Sequence, residues 1–266
     1  MTSAISLVTL VTDFGDVDYF VPSMKGVMLG INSQIRIVDL THRIPAHGVE
    51  QAAFFLKSCY QYFPDGTVHV VVVDPGVGSS RRAILASTSR HFFLAPDNGV
   101  LTYVLQEETG VQVRSIENKQ YRLDSIGATF DGRDLFAPSA AWLTKGQVPG
   151  SYGRLIHDYV KLPLDPPRME GHALHGRIVY IDHFGNAITN LTLTDIETFR
   201  SVTKKEYSGL KTGEIVIKGI KTHYEEGALG YPEGLINSNG HIEIFVKQGR
   251  AVDRCQLRIG QTVELI

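Results

Sequence analysis

The chain is poor in cysteine, has no excess of basic charge and no long apolar run, and each shortage removes a class of protein. Only two cysteines, Cys59 and Cys255, occur in 266 residues. They are far apart and belong to no cluster with metal-ligand spacing, so no disulfide is expected and both are predicted to be buried thiols in a reducing cytoplasm. Lys and Arg total 26 against 28 Asp and Glu, which leaves no electrostatic footprint for nucleic acid or an anionic membrane. A small or zwitterionic ligand suits that balance better. No segment approaches the roughly 20 apolar residues of a membrane helix. The amino terminus, MTSAISLVTLVTDFGD, has no basic residue ahead of its apolar run, and reads as a strand, not a secretion signal. No Cys/His cluster or metal-loop carboxylate pair is present, so no metal and no cofactor is expected. The absence of G-x-G-x-x-G after the first strand argues against a nicotinamide-binding oxidoreductase.

What is present is organised around VHVVVVDPGVGSSRR, residues 68–82. Five valines and one histidine over 68–73 form a β-branched run too continuous for a one-faced surface strand, and typical of a central parallel strand. Asp74 follows directly. Pro75, Gly76 and Gly78 then turn the chain so that its amides can face a ligand at the carboxyl edge of the sheet. On these residues alone, a functional loop and an ordinary turn with a solvated aspartate have equal standing.

The same pattern recurs along the first 160 residues. A strand over 5–12 ends on Asp13, Phe14 and Gly15, and Asp18 stands where a helix N-cap belongs, ahead of Phe20, Met24, Val27, Met28 and Ile31. A third strand, 35–40, closes on Asp39, Thr41 and His42, and a helix is expected over 49–60. Strands at 83–87 and 91–94 lead to the loop 95–99, which contains Asn98, before the apolar run 100–105. The segment Phe130-Asp131-Gly132-Arg133-Asp134 introduces a helix over 135–143 with Pro138 in its first turn, and Asp134 can cap it. Polar strand ends separated by helical patterns predict an α/β, mostly parallel-sheet amino-terminal domain with helices on both faces, its loops meeting on one edge.

Three prolines in KLPLDPPRMEGH end that pattern. The expected organisation is a domain over 1–163, a Pro-rich linker over 164–172 and a smaller all-β, barrel-like domain over 173–266, built from short β-type runs with little convincing helix. Its polar loops are Asp182-His183-Phe184-Gly185-Asn186 and Asn237-Ser238-Asn239-Gly240.

Taken together and in order, Thr12-Asp13-Phe14-Gly15 with Asp18, Asp74-Pro75-Gly76-Val77-Gly78 with Arg81, the loop 95–99, the segment 130–138, DHFGNAITN over 182–190, and Asn237-Ser238 with Gly240 resemble the S-adenosylmethionine hydroxide adenosyltransferases and their relatives, the fluorinating and chlorinating adenosyl-halide synthases. The resemblance covers nearly the whole chain. It implies displacement of methionine from the 5′ carbon of S-adenosylmethionine by water, giving adenosine and L-methionine. Little acid catalysis is needed, because a sulfonium is an excellent leaving group; the enzyme must align the nucleophile and secure a zwitterionic substrate.

By position in those motifs, Asp13 is expected to hold the ribose hydroxyls, Asp18 and Asp182 the methionine ammonium, and Ser238, beside Asn237, the methionine carboxylate. Asn186 is expected to read the adenine edge, with Phe184 or Tyr224 stacking on the ring. For Tyr224 plain core packing is the stronger reading. Asn98 belongs to the substrate loops, and His47 lies where a larger aromatic lines the ribose in halogenating relatives, although an exposed histidine fits that position equally well. Halogenating relatives carry tyrosine where this chain has Asp74, so Asp74 with Arg81 points to water. The hydroxide branch normally has histidine after Phe130; here it is Asp131, a weaker base than an imidazole. Chloride as nucleophile and a binding protein without chemistry are the rival readings. The family also implies a homotrimer with sites shared between subunits.

Overall fold

The computed structural model describes residues 6–124, 126–171, 173–204 and 207–266; Ile5, the expected start of the first strand, and His172, the expected end of the linker, lie outside them. The chain separates into two compact units, 1–163 and 164–266.

In the first unit the strands are β1 (Leu7–Thr12), β2 (Arg36–Thr41), β3 (Val68–Val72), β4 (Ala83–Ser87), β5 (Phe92–Pro96), β6 (Gln112–Ser115) and β7 (Leu155–Ile156). They form one sheet in the order β2-β1-β3-β5-β4-β6-β7. β2, β1, β3 and β5 run parallel; β4, β6 and β7 extend the sheet antiparallel. The valine run is continuous because β3 is buried on both faces. Val68, Val70 and Val72 pack into one core with Val8, Leu10 and Leu94, while Val71 and Val73 pack into the opposite core with Val11, Ile84 and Phe93. Helices α1 (Phe20–Ile31), α2 (Val49–Lys57), α3 (Thr102–Glu107) and α4 (Ala137–Thr144) supply the outer layers. Met24 and Met28 of α1 and Ala140 of α4 cover the first face, and Ala52 and Leu56 of α2 and Val104 of α3 the second.

Two expected helix caps are corrected. The N-cap of α1 is Tyr19, with no side-chain cap bond, and Asp18 is exposed one residue further out. Asp134 is not the cap of that helix: it lies inside a π-helical turn, Gly132–Phe136, that leads directly into α4, and its buried carboxylate accepts from Arg133 Nε at 2.6 Å. The helical start is shifted upstream to Asp131, and such π turns are frequent at functional sites.

The second unit contains β8 (Arg168–Glu170), β9 (Ala173–Ile181), β10 (Ala187–Thr192), α5 (Leu193–Thr203), β11 (Gly209–Thr212), β12 (Ile215–Lys218), β13 (Pro232–Ile236), β14 (His241–Val246), α6 (Ala251–Cys255) and β15 (Thr262–Leu265). The sheet runs β12-β11-β15-β9-β10-β14-β13 with each neighbouring pair antiparallel, and is nearly closed by a single parallel bridge from Lys221, just beyond β12, to Leu235 of β13. A core of Leu174, Ile178, Leu191, Leu210, Ile244 and Val263 fills it. The segment expected as linker is partly sheet, since β8 pairs with β9. Helix α5 was not anticipated; a capping box between Thr192 and Asp195 starts it.

Candidate active site

The parallel register places the polar strand ends of the first unit on one edge. Thr12 of β1 pairs with Val72 of β3, so Asp13 and Asp74 emerge from neighbouring strands, with Asn98 following β5 on the other side of β3. This is the edge at which open α/β sheets bind ligands.

Asp74 organises its own turn. Its Oδ1 accepts from the Gly76 amide at 3.2 Å, and Ser79 Oγ, bonded to the Gly76 carbonyl at 2.7 Å, accepts from the Arg81 amide at 3.2 Å. The turn folds Arg81 back over the carboxylate from which it started. Arg81 Nε donates to Asp74 Oδ1 at 3.1 Å and its Nη2 to Asp74 Oδ2, the two-pronged geometry that suits a guanidinium and a carboxylate. Nη2 also donates to Asp131 Oδ2 at 2.5 Å. All three side chains are largely withdrawn from solvent, at 5% exposure for Asp74, 13% for Arg81 and 16% for Asp131. Burial opposes the Arg81 charge, but the two carboxylates prevail and raise its pKa.

Asp131 is set by the aromatic packing around it. Phe130 meets Phe20 edge-on at 5.2 Å and Phe14 at 5.9 Å. A Cβ on Gly132 would stand 3.1 Å from Met24 Sδ and 3.2 Å from the Phe14 ring, so the absence of a side chain there lets the π turn approach α1. Phe136 faces the guanidinium of Arg81 at 5.8 Å.

The other first-unit residues differ in how their polar groups are used. Asp13 Oδ2 accepts from the His47 amide at 2.9 Å, and His47 has a left-handed φ of 66° with an exposed ring. Asp18 is exposed. Asn98 is committed to the backbone at both ends: its Nδ2 donates to the Val73 carbonyl at 2.8 Å, and its Oδ1 accepts from the Val100 amide at 3.2 Å. It braces the end of β3 beneath Asp74.

In the second unit, Asp182 and Asn186 close the turn between β9 and β10. The carboxylate accepts both the Asn186 amide at 2.8 Å and Asn186 Nδ2 at 3.0 Å, which fixes the side-chain amide with its oxygen as the remaining acceptor. Beside them is a cavity of about 620 Å³, lined among others by His183, Phe184, Asn186, Tyr224, Phe245 and Arg250. Phe184 and Tyr224 are 71% and 48% exposed; neither is ordinary core, although Tyr224 packs edge-on against buried Phe245 at 5.1 Å. Phe245 and Arg250 were not singled out from the sequence. A large aromatic at the end of a buried strand was the available signal for the first; for Arg250, bonded to the His183 carbonyl at 2.9 Å, there was none. Ser238 is exposed, while Asn237 Oδ1 accepts from the Asn239 and His241 amides. Among the described residues, no group of three or more His, Cys, Asp or Glu side chains is arranged to hold a metal, and no helix is long and apolar enough to cross a membrane.

Comparison with known proteins matches both units. Residues 8–153 match the model of the SAM hydroxide adenosyltransferase N-terminal domain and residues 176–264 that of the C-terminal domain. A protein of Salinispora tropica named (R)-S-adenosyl-L-methionine hydrolase is 30% identical, with 92% of each chain covered. A fluorinase of Actinoplanes is 25% identical over 97% of this chain and 96% of its own. A crystal structure of an uncharacterized conserved protein from Thermotoga maritima superposes with a TM-score of 0.88 at 32% identity, over 97% of this chain and 99% of that one. By its sequence over both units and by its fold, the chain belongs to the SAM hydroxide adenosyltransferase family.

Proposed function

We propose that this protein hydrolyses S-adenosyl-L-methionine to adenosine and L-methionine. The observation that carries the reading is the Asp74-Arg81-Asp131 set at the carboxyl edge of β3, in a chain similar to proteins named (R)-S-adenosyl-L-methionine hydrolase. The oxygen of water forms the new bond to the 5′ carbon as the carbon–sulfur bond breaks, and that electron pair stays on the methionine sulfur. The water proton passes to the Asp131 carboxylate and then to solvent. Arg81 holds both carboxylates in place, and the set carries a formal charge of −1, which favours a neutral water beside a sulfonium over a halide anion.

The substrate is held by the polar strand ends. Asp13 accepts from the ribose hydroxyls through the oxygen that His47 leaves free, with His47 at the ribose edge. Asp18 and Asp182 face the ammonium, and Ser238, on the loop shaped by Asn237, donates to the methionine carboxylate. Asn186 presents its free oxygen to the adenine amine, and Phe184 and Tyr224 flank the ring in the 620 Å³ cavity. Asn98 serves through its brace on β3. The chain needs no cofactor, works as a cytoplasmic homotrimer with sites shared between subunits, and uses the segment 164–172 to join its domains, part of it as strand.

The test is a chromatographic time course of the purified protein with S-adenosylmethionine, with and without halide, following adenosine and methionine. Equal amounts of both in halide-free buffer are expected. A 5′-halo-adenosine product would assign the chain to halide transfer instead. Tight binding without release of methionine would make it a binding protein, the alternative favoured by an aspartate at 131.

A further inference from the structure

β14, His-Ile-Glu-Ile-Phe-Val, is buried at every position, and its third residue, Glu243, is only 3% exposed. Strand alternation with Ile242 and Ile244 would place a glutamate there on a solvent face. It is enclosed instead, and among the described residues no Lys, Arg or His pairs with it. A buried carboxylate without a cation is costly unless hydrogen bonds satisfy it. Burial raises its pKa, and the nearby Asp182 charge adds to the rise.

Two bonds satisfy Glu243, and each comes from a different loop. Tyr224 Oη donates to Oε1 at 2.7 Å, and Asn237 Nδ2 donates to Oε2 at 3.1 Å. Tyr224 belongs to the turn Tyr224–Glu226 and lines the cavity. Asn237 precedes Ser238, and because its Oδ1 already shapes the turn by accepting from the Asn239 and His241 amides, Nδ2 is the side-chain group left to join the turn to Glu243, beside the backbone bond from the Asn237 amide to the His241 carbonyl. Glu243 therefore ties both Tyr224, in the cavity wall, and the 237–240 turn to one buried strand.

We propose that Glu243 is a positioning residue for the adenosyl group, holding Tyr224 and the Asn237 turn in their ligand-binding arrangement through its two hydrogen bonds. This rests on the proposed adenosylmethionine site. Fold stability depends less on the carboxylate than the cavity wall does: with an apolar residue in its place, the Tyr224 hydroxyl, on a half-exposed side chain, and Asn237 Nδ2, on a partly exposed one, can both turn to water.

The experiment measures adenosine affinity by titration calorimetry, kcat and KM for S-adenosylmethionine, and thermal unfolding, on the full chain and its Glu243→Leu, Glu243→Gln and Tyr224→Phe variants. Glu243→Leu is expected to unfold within a few degrees of the parent yet bind adenosine about tenfold more weakly, from the loss of two ordinary hydrogen bonds, with KM rising more than kcat falls. Glu243→Gln, whose oxygen can accept from Asn237 and whose amide can donate to Tyr224, is expected to restore affinity to within about threefold. Equal affinity in the parent and Glu243→Leu overturns the proposal, as does a Gln variant no better than Leu. Should Glu243→Leu fail to fold, Tyr224→Phe decides: it keeps the ring and removes one bond, and unchanged affinity overturns the proposal. A parent protein that neither binds adenosine nor releases methionine overturns the functional reading itself, a distinct result.

Discussion

Arg81 Nη2 lies 2.5 Å from Asp131 Oδ2, across 50 positions of chain, while the same guanidinium grips Asp74 with Nε and Nη2. One cation thus holds two partly buried carboxylates. Removing it by Arg81→Leu leaves like charges side by side with no cation between them. Turnover of S-adenosylmethionine should fall by on the order of a hundredfold or more. Stability should drop by about 2–3 kcal/mol, toward the lower end for breaking a buried pair because the set is not fully enclosed. Urea unfolding beside the chromatographic assay reads both effects.

Exchanging Asp131 for histidine changes the base but not its place in the fold. An imidazole must be neutral to accept a proton, and its ordinary pKa is about 6.5. Asp131→His is therefore expected to stay active above pH 7 and to lose activity as pH falls through roughly 6–7, a step that the imidazole introduces. A kcat/KM profile from pH 5 to 9 checks this. Profiles that coincide would mean that the group at 131 takes no proton.

Much of the first unit was legible because its chemistry lies beside its strongest patterns. The valine run of β3 can only be a strand enclosed on both faces, and the Asp74 turn follows immediately. The long-range join to Asp131 was not legible from spacing: it depends on a π turn that a pattern of caps and periodicity reads as an ordinary helix start at Asp134. The antiparallel half of the sheet was hidden by short strands such as Gln112–Ser115, whose few side chains carry little periodicity. In the second unit, alternation misleads at Glu243, because Tyr224 from a loop 19 positions away and Asn237 from the turn ahead of β14 satisfy the carboxylate indoors. Helix α5 has a local signal, Thr192 three residues ahead of Asp195, but it stands among strand patterns that mask it.

His69, inside the valine run, predicts an acid-sensitive fold. Its Nδ1 meets Thr9 Oγ1 at 2.7 Å, its ring stacks on Phe93 at 5.0 Å and lies 5.1 Å from His91, and both histidines are buried. Among the described residues, His69 Nε2 and both ring nitrogens of His91 have no hydrogen-bond partner. Burial, with the neighbouring His91, pushes His69 down to about 3, and burial also lowers His91, against Glu108 and Asp65 and with Arg90. Because the unfolded chain binds these protons near pH 6.5 and the folded chain does not, stability is complete above about 6.5 and falls as pH drops toward 3. The slope is up to about 1.4 kcal/mol per pH unit for each histidine. His69→Phe should flatten that slope in urea titrations at pH 7.5, 6 and 5; an unchanged slope would place the acid sensitivity elsewhere.

The loop between β9 and β10 offers a separation of binding from folding. Phe184 is 71% exposed, so Phe184→Ala should alter stability by no more than about 0.5 kcal/mol, yet stacking on a base is worth about 1–3 kcal/mol. Adenosine affinity should therefore fall roughly tenfold at unchanged unfolding temperature. Gly185 behaves oppositely. Its φ is +80°, and a Cβ there would stand 2.8 Å from Cβ of Arg250, which in turn donates to the His183 carbonyl. Gly185→Ala strains the turn and displaces Arg250 from the cavity wall, so it should lower both affinity and stability, the latter by about 1–2 kcal/mol. Calorimetric titration and thermal unfolding of the two variants together give the test: loss of affinity in both with loss of stability only in Gly185→Ala places the adenine ring against Phe184, whereas full affinity in Phe184→Ala would remove that ring from the binding surface.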